Sequence, residues 1–463
     1  MDAPAPIPPE VLASLPPSVV ALIEYLTARV AQLEAQLAGK KTPTNSSLPP
    51  SSTHPHDKPT GGKPKSSRKQ GAQPGHPKNE RELIPVEQCN EVVPCVPKEC
   101  RRCGKELAGV DSEPLRHQVW ELPEIQPIIT EYQQHRLVCS CGCSTCGELP
   151  QGVPTGQAGP RLIAFAGLLM ACFRQSKRRA AQFLSMILNQ PASAGWMVLL
   201  QNRAAEAVQP AYDELAEQLA EQACLNIDES PTKEGQAKAW VWTLVAAAFT
   251  FFACRTSRAA DVVKDLLGVD YAGVIHCDRA RMYWAFGRLQ WCWAHLKRDF
   301  QALIDDPCGT KKRLGHDLMK PTKELFALWK KVRDGTISRQ TFLQEMQSIR
   351  QRVDALLLRG YFNARTHNFC KELVEHKERL WTFLEVEGVE PTNNAAEQAL
   401  RHAVIWRKLS FGTQSKSGSQ FVERMLTVIE TCRRQRRNVY SWLVATVQAH
   451  YNGQQKPSLL PTA

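Results

Sequence analysis

The stretch from residue 223 to residue 300 constrains the fold most. In LNIDES, Leu225 and Ile227 fall on one face of an extended segment, and Asn226 and Asp228 on the other. AWVWTLVAAAFTFFAC supplies two further strands with a bend near the alanines. GVDYAGVIHCDRARMYWAF then gives a buried strand, VIHCD, that ends in Asp278 and leads into a helix. QWCWAHLKRDFQALI adds one more strand-and-helix unit. Three antiparallel strands, a helical crossover and then a parallel strand is the RNase H-like order. The predicted fold class is therefore α/β, a mixed five-stranded RNase H-like sheet. In that plan the first and fourth strands lie side by side, so Asp228 and Asp278, at their ends, become neighbours. Two carboxylates that close repel each other unless divalent metal neutralises them. Two Mg²⁺ (or Mn²⁺) ions roughly 3.5–4 Å apart could then activate a water or a 3′-OH and stabilise the departing oxygen. Taken alone, each Asp is also what a turn or a helix N-cap would use.

Residues 301–385 abandon the strand pattern. KELFALWKKV, FLQEMQSIRQRVDALLL and FCKELVEHKERLWTFL are amphipathic helices, read as an insertion that splits the sheet domain into 223–300 and 386–450. The second part begins EPTNNAAEQALRHAVIWRKLSFGTQSKSGS. Asn394 as N-cap with Glu397 three residues later fits a capping box, which requires no chemistry. Glu397 also opens a helix set among basic residues. From Arg401 to Arg437 nine Lys or Arg face only Glu423 and Glu430, which predicts a long basic C-terminal helix able to hold a phosphate backbone. Arg401, Arg407, Lys408 and Lys416 are its candidate DNA contacts.

Four segments precede the sheet. In residues 10–38, Leu12, Val19, Leu26 and Leu33 recur every seven residues, with Ile23, Val30 and Leu37 at the alternate seam position. That stripe predicts a leucine-zipper-like coiled coil and a homo-oligomer, with Pro16 and Pro17 holding the helix start to about Ser18. Residues 39–82 are Pro, Ser, Gly and Lys with almost nothing apolar, so they can form no core and read as a disordered basic linker. Residues 83–155 hold the dense cysteines. Cys100 and Cys103 form a Cys-x-x-Cys knuckle, and Cys139, Cys141, Cys143 and Cys146 form a second group. Four soft ligands on two turns suit one structural Zn²⁺. Cys100, Cys103, Cys139 and Cys141 are the expected set, with Cys143 and Cys146 as alternatives. Between them VWELPEIQPIITEYQQHRLV reads as two strands around a turn. Residues 156–222 look wholly helical. AAQFLSMIL, NQPAS and AGWMVLLQ resemble a helix-turn-helix, with Arg178 and Arg179 just ahead, although an ordinary helical hairpin has the same pattern.

The formal net charge of +12 favours a polyanionic partner, nucleic acid first. The Pro-rich start MDAPAPIPPE has no basic n-region followed by an apolar run. The longest apolar stretches, LIAFAGLLMACF and WVWTLVAAAFTFFAC, fall short of the roughly 20 residues that cross a bilayer. These features predict no membrane partner and a cytoplasmic, nucleoid-associated location. There the thiols stay reduced and clustered cysteines serve as metal ligands.

These blocks together resemble a known family, the DDE transposases named for insertion sequence sixty-six, over nearly the whole chain. NSSLPPSS with KQGAQPGHP resembles its linker, and the two cysteine groups its zinc-binding module. NIDES, GVIHCDRARMYW, CWAHLKRDF and EPTNNAAEQALRHAVIWRKLSFGTQSKSGS resemble its catalytic blocks in order. The resemblance implies an acidic triad at Asp228, Asp278 and Glu397. It also implies nicking of double-stranded DNA at transposon ends, transfer of the freed 3′-OH to target DNA, and accessory proteins of the same element as partners. The cysteine group from Cys139 to Cys146 is more crowded than the family pattern. Asp228 is followed by Glu229, a second acid expected to point to the opposite face. His295 lies within a family block and is a candidate neighbour of the site.

Overall fold

A computed structural model describes residues 15–38, 45–46 and 82–461, with side chains left out of account for 31–38. Two compact units are present: residues 55–127, and 1–54 together with 128–463. The expected linker lies outside the described residues except at Asn45, Ser46 and Glu82.

In chain order the larger unit begins with helix α1 (Pro17–Ala38) and a short hairpin of β1 (Arg136–Val138) and β2 (Ser144–Cys146). Four helices follow: α2 (Pro160–Ala171), α3 (Lys177–Ile187), α4 (Ala194–Ala207) and α5 (Gln209–Glu217). Next come β3 (Cys224–Glu234), β4 (Ala237–Val245), β5 (Thr250–Arg255), α6 (Ala260–Leu267), β6 (Val274–Cys277) and β7 (Leu289–Trp291). The remainder is helical: α7 (Trp293–Asp305), α8 (Gly309–Arg333), α9 (Arg339–Tyr361), α10 (His367–Glu375), α11 (Glu378–Glu385), α12 (Asn394–Ser410), α13 (Lys416–Arg434) and α14 (Val439–Asn452). Among the described residues no helix is long and apolar enough to cross a membrane.

The five-stranded sheet has the order β5-β4-β3-β6-β7. β3, β4 and β5 are antiparallel neighbours, while β6 pairs parallel with β3 and β7 parallel with β6. The crossover from β5 to β6 is α6. Alternation makes β3 what it is: Leu225 and Ile227 are buried, and Asn226 and Asp228 face the other way and keep some solvent contact. The bend expected near the alanines is the turn closed by the Ala246 N–H donating to the Phe249 carbonyl at 2.9 Å.

Edge strand β5 is guarded by α13. The N–H groups of Thr250, Phe252 and Cys254 donate to Thr431 Oγ1 (3.1 Å), Thr427 Oγ1 (3.0 Å) and Glu423 Oε2 (2.7 Å). Four helical residues advance about 6 Å, and two strand residues advance about 6.6 Å. Side chains at every fourth helix position therefore keep step with every second strand N–H. An edge that would otherwise template further pairing is closed by this ladder.

Two expectations change. VWELPEIQPIITEYQQHRLV does not form a hairpin of its own. Residues 119–135 have no strand, and Val119, Trp120, Leu122, Ile128 and Ile129 are exposed. Pro123 and Pro127 each remove a ladder donor there, and the one short strand at its end, β1, pairs with β2 across the cysteine turn. The expected long basic helix is two helices. α12 stops at Phe411, in the left-handed region with φ 60°, and Gly412 follows with φ 105°. α13 then runs through the core, with Phe421, Val422 and Met425 to Cys432 buried, so it presents no continuous basic face.

Candidate functional site

The pairing of β3 with β6 builds the site. Cys224 lies opposite Val274, Leu225 opposite Ile275 and Asn226 opposite His276. Carried two residues further in the same step, that register sets Asp228 opposite Asp278, one residue past the end of β6. Side chains two apart on a strand share a face, so Asp228 joins Asn226 on the face away from the Leu225–Ile227 core. Asp228 Oδ1 accepts the Glu229 N–H at 2.9 Å, and Asp278 Oδ1 accepts the Ala280 N–H at 2.8 Å.

Glu397 reaches the same place from α12. The helix begins one residue earlier than a capping box requires. Its N-cap is Asn393, whose side chain makes no cap bond. Instead, Asn393 Nδ2 donates to the Ile227 carbonyl at 2.7 Å and Asn393 Oδ1 accepts from Asn226 Nδ2 at 3.0 Å. Its backbone N–H donates to Cys292 Sγ at 3.2 Å. A buried asparagine thus clasps the start of α12 to the strand that carries Asp228. Glu397, one turn on, is left free of capping duty. Its Oε1 is buried without a hydrogen-bond partner, as is Nδ1 of His295, and the two atoms lie 3.6 Å apart.

Electrostatics tie the cluster together. The Asp228 carboxyl is pushed well above the usual carboxylate range, first by burial and then by the negative charges of Glu229, Asp278 and Glu397. Glu229 alternates with Asp228 along β3, yet its charge is the largest acting on Asp228 after burial. Its own carboxylate is occupied by Tyr283 Oη (2.6 Å) and Arg258 Nε (2.7 Å), and burial raises its pKa. Cys292, His295 and Glu397 bring one donor atom each within 4.8 Å of one another. Burial pushes the Cys292 thiol up to about 11, so it sits there as a neutral thiol accepting the Asn393 N–H. The carboxylates of Asp228, Asp278 and Glu397 are less tightly gathered than that trio but remain within electrostatic reach.

A family model described as "Transposase IS66 family" matches residues 155–421, which include all three carboxylates. The chain belongs to that family. A second model, described as a family of unknown function (DUF6444), matches residues 10–82. No match was found among curated proteins. In this transposase-family chain the remaining candidate residues fall as follows. Arg178 and Arg179 are exposed in the first turn of α3, where Ser176 Oγ accepts the Arg179 N–H as an N-cap. Arg401, Lys408 and Lys416 are exposed, but Arg407 is engaged, its Nη1 donating to Ser230 Oγ at 3.1 Å and to the Pro231 carbonyl.

Cys100 and Cys103 lie in the smaller unit and share a tight turn. The Gly104 N–H donates to the Cys100 carbonyl (3.0 Å) and the Cys100 N–H to the Lys105 carbonyl (2.9 Å). Backbone N–H groups of Arg102 and Cys103 aimed at the Cys100 sulfur lower its pKa. Cys139, Cys141, Cys143 and Cys146 lie in the larger unit on the β1–β2 hairpin. The Cys141 N–H does the same for Cys139.

Sequence reasoning missed the asparagine clasp and the Tyr283–Arg258 hold on Glu229. The signal for the first was present in the paired Asn393–Asn394, and which one faces β3 is a tertiary fact.

Proposed function

We propose that the chain is a DDE-type transposase. It binds the inverted repeats at the ends of a mobile element, nicks them, and joins the freed 3′-OH to target DNA. The work is done at Asp228, Asp278 and Glu397 on an RNase H-like sheet. The observation that carries this reading is the β3–β6 register, which sets Asp228 opposite Asp278, together with the pKa of Asp228, raised in part by Asp278 and Glu397.

The residues fit a pair of divalent cations. Three like charges held within reach of one another, with Arg298 Nη2 4.0 Å from Glu397 Oε2 and the Glu397 Oε1 atom unpartnered, are a poor arrangement unless further positive charge joins them. When bound, such ions supply an activated water or 3′-OH and stabilise the leaving oxygen. The protein contributes position. Asn393 fixes the origin of α12, and His295 confines the Glu397 carboxylate. Tyr283 and Arg258 keep Glu229 engaged, so Asp228 is the free acid of that pair.

Two supporting parts belong to the same proposal. The proposed Zn²⁺ ligands are Cys100 and Cys103 in the smaller unit and Cys139 and Cys141 in the larger, with Cys143 and Cys146 as alternatives. Backbone N–H groups pointing at sulfur favour thiolate in each turn. In the smaller unit Val92, Val93, Val96, Val110 and Leu115 are exposed, so its described residues offer little apolar core and a metal staple suits it. α1 would pair with a second copy through Val19, Leu26 and Val30, all exposed. Leu12 lies outside the described residues, as do the side chains of Leu33 and Leu37.

The decisive test is Asp228→Asn on a duplex carrying the element's terminal repeat. Mg²⁺-dependent nicking is expected to disappear while binding to the repeat persists. Normal cutting by the variant would remove Asp228 from the reaction.

A further inference from the structure

α12 carries more than Glu397. With 3.6 residues per turn, positions i, i+4 and i+11 fall close to one line along a helix. Glu397, Arg401 and Lys408 occupy those positions, and both basic side chains are exposed. The line ends at Phe411, whose ring is 82% exposed, beside Leu409 at 62%. Phe411 also holds φ 60°, a left-handed conformation that glycine adopts freely and a phenylalanine adopts with strain.

The tip that presents this ring is fastened down. Gly412 passes so near β3 that a Cβ there would meet the Lys233 carbonyl at 2.5 Å. The Thr413 N–H donates to that carbonyl at 2.9 Å, and the Gly235 N–H donates to the Thr413 carbonyl at 2.8 Å. An exposed aromatic on a strained, anchored turn gains nothing for the core. Its setting is cationic, with Lys408, Lys416 and Lys233 exposed around it.

We propose that Phe411, flanked by Leu409, is a wedge that enters duplex DNA and unstacks one base step while Arg401 and Lys408 hold the adjoining phosphates. The inference rests on the transposase reading above and adds a second contact at a defined distance from the cut. Fourteen residues of helix separate Phe411 from Glu397, about 21 Å at 1.5 Å per residue. At 3.4 Å per base pair that is about six base pairs from the scissile phosphate. Apolar side chains driven between base steps kink duplexes in this way, and every base offers a face to stack on.

The test is permanganate reactivity of thymines along a terminal-repeat duplex, with nicking of the same duplex in Mg²⁺ measured alongside. Wild-type protein should create reactive thymines centred about six base pairs from the nick. Phe411→Gly removes the ring and relieves the backbone, so it should fold at least as well. It should lose the reactive site and nick at least about tenfold more slowly. Phe411→Trp should keep both. A wild-type protein that nicks without any reactive thymine overturns the wedge alone, as does a Phe411→Gly protein with an unchanged pattern. A wild-type protein that does not nick overturns the transposase reading, and the wedge with it. A change in oligomeric mass for Phe411→Gly with the footprint intact assigns the ring to a protein contact and also overturns the proposal.

Discussion

If like-charge crowding is what defines the carboxylate site, removing one charge should stabilise the metal-free protein. Asp228→Asn is the cleanest such change, because the amide oxygen can still accept the Glu229 N–H now bound at 2.9 Å. Adjacent strands lie about 4.8 Å apart, and two carboxylates at about 5 Å repel by ~3 kcal/mol at an effective dielectric of 20. Asp228 and Asp278 both keep some solvent contact, and screening reduces the recoverable part to ~1–2 kcal/mol. For a body of this size that is a rise of about 1–3 °C in melting temperature. The assay is thermal unfolding in EDTA, then with Mn²⁺. In EDTA at pH 8 the variant should melt above wild type. The pH dependence has a definite sign. A carboxyl whose folded pKa is raised contributes stability below its unfolded value, near 4, and loses that contribution as pH rises through the folded value. Wild type should therefore lose stability from pH 5 to pH 8 more than the variant, and the gap should widen. Mn²⁺ at about a hundred times its dissociation constant should add ~2.7 kcal/mol to wild type and clearly less to the variant. A variant that melts below wild type in EDTA, or that gains as much from Mn²⁺, would refute the crowding argument.

Three further outcomes follow from the same geometry. Asn393→Ala leaves the Ile227 carbonyl and the Asn226 amide without their partner, at a cost of ~2–4 kcal/mol; the Mn²⁺ concentration for half-maximal nicking should rise while repeat binding in EDTA holds, and an unchanged metal dependence would count against the clasp. Purified protein should contain about one zinc per chain and Cys103→Ser none; wild-type protein without zinc sinks that part of the proposal. Removing residues 1–38 should lower the number of copies per particle seen by light scattering, and an unchanged number would show that α1 does not hold copies together.

How much of this was legible beforehand depends on how local each determinant is. The strand order was, because Leu225 and Ile227 alternate with Asn226 and Asp228 in one short window, and VIHCD is too short and too apolar for a surface helix. The helices between residues 309 and 385 were legible for the same reason, since each amphipathic segment states its own period. The position of Glu397 on a helix could be read, but not its release from capping. That release depends on Asn393 turning toward Ile227, and the partner lies 166 residues away in sequence. The division of the basic stretch into α12 and α13 had local signals in Gly412 and in Ser415, whose hydroxyl accepts the Gly418 N–H. Charge counting hid those signals, because most Lys and Arg of this stretch cluster at its ends while the middle of α13 is buried. The burial of α13 follows from Glu423, Thr427 and Thr431 keeping step with β5. That match between helix rise and strand rise exists only once both elements are built. The same contrast separates the two ends of the proposal. The proposed triad, with Asp228 on β3, Asp278 just past β6 and Glu397 on α12, is visible as spaced acids. A wedge such as Phe411 is visible only as a residue that folding leaves exposed and strained at the end of the α12 line from Glu397 through Arg401 and Lys408.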